Sequence, residues 1–82
     1  MKAIKSEEII SEISMKNNFQ KLRATRIEYE KSEIIYIDLR IMQLAESQEG
    51  KAQYIHTKKG IRIPEGDFEK FLNDFSQQST NS

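Results

Sequence analysis

The sequence predicts an α+β domain: an N-terminal helix, a four-stranded meander and a C-terminal helix. Three observations predict it. Between Ile34 and Leu44 the chain alternates, with Ile35, Ile37, Leu39 and Ile41 on one face and Tyr36, Asp38, Arg40 and Met42 on the other, which is the period of a strand. After Pro64, the residues Phe68, Phe71, Leu72 and Phe75 recur at helical spacing. Finally, 82 residues with 37% hydrophobic and 32% charged side chains make one small domain with a lean core of its own. Self-association is therefore expected, because a partner surface supplies the missing burial.

Residues 6–17 read as the first helix. Ser6 stands as N-cap, Glu7 and Glu8 lie in the first turn, and Ile9, Ile10 and Ile13 form one apolar stripe. Asn17-Asn18 is a natural stop, so residues 1–18 are expected to be a helical extension. A domain is then expected over residues 19–75. Lys21 to Tyr29 alternates long polar with other side chains and lacks Gly and Pro, the pattern of a half-exposed strand. Glu30-Lys31-Ser32-Glu33 is a polar turn leading to the Ile34–Leu44 strand. Ala45 to Gly50 connects onward, with Gly50 supplying positive φ where needed. Residues 51–57 form the third strand, Lys58-Lys59-Gly60 a turn, and Ile61-Arg62-Ile63 a brief fourth strand. Pro64 opens the second helix, where its missing N–H costs nothing, with Glu65 and Asp67 in the first turn. Residues 76–82 are polar and uncharged, and are expected to be a disordered tail.

Composition excludes several functions. There is no cysteine, hence no disulfide framework, thiolate metal site or thiol nucleophile. The single histidine, His56, excludes a multi-histidine metal centre. The longest clearly apolar run, Ile34 to Ile37, is far below the roughly 20 residues that span a bilayer. Residues 1–10 hold no apolar signal-peptide stretch, so the chain is expected to be soluble and intracellular, with no membrane partner. Enzyme readings also fail. The acids at both helix starts serve the helix dipoles, Asp38 sits on one strand face with Arg40 as an ion pair or turn anchor, and the three glycines form no phosphate-cradling loop. No catalytic residue, metal ligand or cofactor is expected.

Charge is neutral in total but segregated along the chain. Lys16, Lys21, Arg23, Arg26 and Lys31 outnumber the acids of their stretch, and Lys51, Lys58, Lys59 and Arg62 stand in one without any acid. Folded as a meander, such blocks can converge into a local positive field. Nucleic-acid binding follows as one reading, in which Lys21, Arg23, Arg26, Arg40, Lys58, Lys59 and Arg62 track phosphates while Tyr36 and Tyr54 stack on unpaired bases. The other reading is a solvated strand face, since Lys and Arg decorate many sheets to protect their edges.

A resemblance joins these residues. Phe19-Gln20-Lys21-Leu22-Arg23, then Ile37-Asp38-Leu39-Arg40, then Lys58-Lys59-Gly60-Ile61, then a helix bearing Phe68 and Leu72, resemble in order and spacing the positive cofactor four family of transcriptional coactivators, in a compact form of bacterial or viral type. The match spans residues 19–75. It implies a curved four-stranded antiparallel sheet with a C-terminal helix, a whirly-like fold, and dimerisation through helix and sheet. It also implies a groove for single-stranded or melted DNA with little sequence preference, acting in transcription, replication or repair beside that machinery.

Carried over by position, Lys58 and Lys59 would contact phosphate, Arg40 would line or brace the groove, and Lys21 and Arg23 would be basic groups of the first strand. Gly60 would permit a tight turn and Asp38 would be structural. Eukaryotic members carry aromatics just after the arginine; here those positions are Met42 and Gln43, so Tyr36, Tyr54 or Tyr29 would supply the stacking. Two alternatives stand beside this. One is a protein-recruitment module of the same fold with little DNA affinity, and the other is a small RNA-binding protein.

Overall fold

A computed structural model describes residues 3–80. Four strands, β1 (Ile4–Ser14), β2 (Gln20–Tyr29), β3 (Ile35–Glu46) and β4 (Ala52–Pro64), precede one helix, α1 (Glu65–Thr80). The strands form a single antiparallel meander in the order β1-β2-β3-β4. The α+β class, the four-stranded antiparallel sheet and the C-terminal helix are therefore as expected. None of the helices among the described residues is long and apolar enough to cross a membrane.

The first element is a correction: residues 4–14 are a strand, not a helix. Two physical terms favour this. Ile4, Ile9, Ile10 and Ile13 are β-branched, and the register sets Glu8 opposite Arg26 and Glu12 opposite Arg23, which are cross-strand pairs of opposite charge. Register shifts between Ile4 and Ser6 and between Ile9 and Ser11 break the strict alternation. A strand interrupted in this way places its isoleucines at spacings that imitate a helical stripe. Met1 and Lys2, also assigned to the expected helical extension, lie outside the described residues.

A second correction concerns Lys58-Lys59-Gly60. These residues form no turn, and Ile61-Arg62-Ile63 is no separate strand, because β4 runs unbroken from Ala52 to Pro64. Met42 pairs with His56 and Arg40 with Gly60, so Thr57, Lys58 and Lys59 stand opposite Ile41 alone. The excess is absorbed as a bulge. A third correction is the C-terminus, where α1 continues to Thr80. Ser76, Gln77 and Gln78 include no Gly or Pro to end the helix, and only residues 81–82 of the expected tail lie outside the described residues.

The three connections follow from local chemistry. Asn17 Oδ1 accepts the Phe19 N–H at 2.8 Å in the first, an Asx turn. Lys31 adopts φ 62° in the second and Gly50 φ 79° in the third, the latter as expected.

Cross-strand partners share a face, and the register therefore sorts the sheet. Leu22, Ala24, Ile37, Leu39, Ile61 and Ile63 lie on an apolar face, while Lys21, Arg23, Thr25, Asp38, Arg40, His56 and Arg62 lie on a polar one. Helix α1 lies on the apolar face against β3 and β4, and Phe68 and Leu72 stand across an apolar groove from Ile13, Leu22 and Ala24. Arg26 reaches Glu65 at 2.6 Å there. The burial achieved is small. Among the described residues only Ala24, Ile27, Ile37 and Met42 are buried apolar side chains, whereas Phe71 and Phe75 stay 63% and 62% exposed.

Candidate nucleic-acid interface

The polar face is organised around Asp38, which is 3% exposed. Its carboxylate accepts Arg40 Nε at 3.0 Å and Nη2 at 2.8 Å, a bidentate fork of the strong kind. It also accepts Arg62 Nε at 3.2 Å, and Arg62 Nη1 donates in turn to the Tyr29 hydroxyl. Burial pushes the Asp38 carboxyl up, but the hydrogen bonds and charges of Arg40 and Arg62 outweigh it and hold the group below its ordinary 3.8. The ion pair inferred from the i, i+2 spacing of Asp38 and Arg40 is thus present.

Arg40 then reaches the bulge, donating from Nη1 to the Thr57 carbonyl at 2.8 Å. The Thr57 hydroxyl donates to the Ile41 carbonyl at 2.6 Å and accepts the Lys59 N–H at 3.1 Å. These bonds fix a backbone excursion whose tip is Lys58-Lys59, both exposed and in no ion pair among the described residues. Gly60 completes the arrangement by close approach. A Cβ there would stand 2.5 Å from the Leu39 carbonyl oxygen and 3.0 Å from Arg40 Cζ, so the guanidinium can lie across the strand only because that position has no side chain.

The expected site residues fall into three groups. Lys21, Arg23, Arg40, Arg62, Tyr36 and Tyr54 share the polar face, with Lys58 and Lys59 beside them on the bulge. Arg26 lies on the opposite face, tied to Glu65 and to Glu8 at 3.4 Å. The cations differ in freedom. Glu12 of β1 bridges Lys21 at 3.3 Å and Arg23 at 2.6 Å, and the Arg23 bond holds the Glu12 carboxyl below its ordinary 4.5. Arg40 and Arg62 are committed to Asp38. Lys58 and Lys59 alone in the set carry uncompensated charge among the described residues.

The tyrosines occupy the same face. Tyr36 meets Tyr29 edge to face at 5.6 Å between centroids. Tyr54 carries the Lys21 ammonium 4.3 Å above its ring and donates its hydroxyl to the Asn18 carbonyl at 3.2 Å. Sequence reasoning missed Glu12, hidden by reading β1 as a helix, and Thr57, whose position just before Lys58-Lys59 is the one signal of its role. Comparison with family models, with curated proteins and with solved structures finds no match to this chain.

Proposed function

We propose that this protein is a homodimer that binds single-stranded or melted DNA through the polar face, with little sequence preference and no catalytic step. In this reading it acts inside the cell, in transcription, replication or repair, in the manner of the positive cofactor four family. The observation that carries the reading is the Arg40-braced bulge, which holds two unpaired lysines beside a face bearing tyrosines. Lysines of this kind track phosphates, and the rings stack on unpaired bases at about 1–3 kcal/mol each.

Glu12 supplies the test. Its carboxylate occupies Lys21 and Arg23 as a phosphate would, so a bound strand must displace it. Exposed ion pairs are each worth about 0.2–1 kcal/mol, and Glu12→Gln is expected to raise affinity for an unstructured oligonucleotide roughly threefold to tenfold. Fluorescence anisotropy at fixed salt reads this out; an unchanged or weaker affinity would remove Lys21 and Arg23 from the site.

The dimer is supported by what one protomer leaves uncovered. Its radius of gyration is 15.3 Å, against about 12 Å for a compact chain of this length. On the helix-covered side, an apolar groove of about 360 Å³ runs between Ile10, Ile13, Leu22 and Phe68, while Phe71 and Phe75 project unburied. Groove and aromatic knobs on one surface suit a two-fold arrangement in which each protomer fills the other. Phe71→Glu/Phe75→Glu is expected to convert a dimer to a monomer by light scattering, and a wild-type monomer would contradict the assembly.

A second reading, a recruitment module of the same fold that binds protein rather than DNA, is favoured by the pairing of Lys21, Arg23, Arg40 and Arg62 to acids of their own chain. Under it, DNA affinity stays weak even in Glu12→Gln.

A further inference from the structure

The polar face holds a cavity of about 180 Å³ between β1 and β4, with residues of β2 and β3 as its floor. Glu7 and Ile9 stand on one side, His56 and Arg62 on the other, and Thr25 and Ile27 lie beneath. Thr25 and Ile27 are 8% and 2% exposed, so the floor is deep. The side chains of Glu7, Thr25 and His56 come from three different strands, and none has a hydrogen-bond or ion-pair partner among the described residues. These unspent polar groups converge beside Ile9 and Ile27, with Arg23 and Asp38 completing the lining, and convergent polar groups beside apolar surface are the makings of a ligand site. The volume is below the roughly 300–1,000 Å³ of ordinary small-molecule pockets, so the occupant is one small planar group rather than a whole nucleotide cofactor.

We propose that this cavity is a subsite for a single unpaired base bearing an exocyclic amino group, cytosine in preference to thymine, with Glu7 as the discriminating residue. The inference rests on the single-strand-binding reading and adds a base preference to it. A carboxylate accepts hydrogen bonds and cannot donate them. The cytosine amino group donates to it, as Glu and Asp accept from cytosine N4 in DNA readout, whereas the corresponding position of thymine is a carbonyl that repels it. Thr25 and His56 each offer both a donor and an acceptor, so they adapt to the remaining ring edge. Ile9 and Ile27 contact the ring face, and the Arg62 guanidinium offers the stacking plane that unpaired bases use.

The experiment compares labelled oligo(dC), oligo(dT) and an abasic backbone of equal length at one salt concentration, with wild type, Glu7→Gln and Lys58→Ala/Lys59→Ala. Wild type is expected to bind oligo(dC) about five- to tenfold more tightly than oligo(dT), and Glu7→Gln to erase the difference. Because His56 is the one histidine, its ring signals in an NMR spectrum form an independent readout. They are expected to shift with oligo(dC) and to stay in place with the abasic backbone. Equal wild-type affinities, a preference that survives Glu7→Gln, or an unmoved His56 would each overturn the inference. If binding nevertheless depends on Lys58 and Lys59, the DNA-binding reading stands without it. No binding to any oligonucleotide would remove both.

Discussion

Replacing Asp38 with alanine is expected to destabilise the protein by about 3 kcal/mol, because the change leaves the partly buried guanidinium of Arg40 without its counter-charge. The low end of the usual range applies because the Arg62 side chain is 40% exposed and can turn to water. This is a large share of the roughly 4–12 kcal/mol available to a domain of this size, and it should lower the urea midpoint by about 2–3 M. The bulge suffers as well, since the arginine that holds the Thr57 carbonyl is itself held by Asp38.

A pH dependence follows from the same group. The folded-state pKa of Asp38 lies below its ordinary 3.8, so between these two values the unfolded chain binds more protons than the folded one. The Asp38 contribution is therefore complete above the ordinary value and is lost as pH falls through the folded one. Urea titrations of wild type and Asp38→Asn should differ most near neutrality and converge below 3.8. A constant difference across that range would show that the charge of Asp38 does not matter.

Lys58→Ala/Lys59→Ala has the largest expected effect on binding. Each exposed charge contact is worth up to about 1 kcal/mol, and losing two weakens affinity by as much as roughly thirtyfold. The magnitude of the salt slope should fall by about 1.4, at 0.7 per phosphate for single strands. Thermal melting should be nearly unchanged, because both side chains are exposed and the bulge is held by Thr57 and Arg40 instead. Undiminished binding in this variant would move the interface elsewhere.

Much of the sheet was legible because β3 alternates without interruption and because Pro64 and the Phe68–Phe75 spacing mark the helix. The errors came where the period is broken. In β1 two register shifts disguise a strand, although its acids Glu8 and Glu12 and the bases Arg23 and Arg26 are spaced as near mirror images about Asn17-Asn18, which is a hairpin signal. In β4, Lys-Lys-Gly reads locally as a turn, and only pairing with β3 makes it a bulge. The role of Gly60 differs accordingly, since it grants close approach to Arg40 rather than a tight turn.

The candidate site was legible in part for the same reason. Strand parity gathers Lys21, Arg23, Arg40, Arg62, Tyr36 and Tyr54 on one face, and places Arg26 on the other with Glu65. Which cations remain free depends on tertiary pairing to Glu12 and Asp38, and no local pattern encodes that.

The most direct test of the central claim is anisotropy of a labelled single strand, on the order of twenty nucleotides, titrated with wild-type protein at several salt concentrations beside the matched duplex. Binding to the single strand in preference to duplex is expected, with log affinity falling against log salt at a slope of about −1.4 to −2.8, for two to four phosphates neutralised. A folded protein that fails to bind the single strand even at low salt, or that binds duplex equally well, would contradict it.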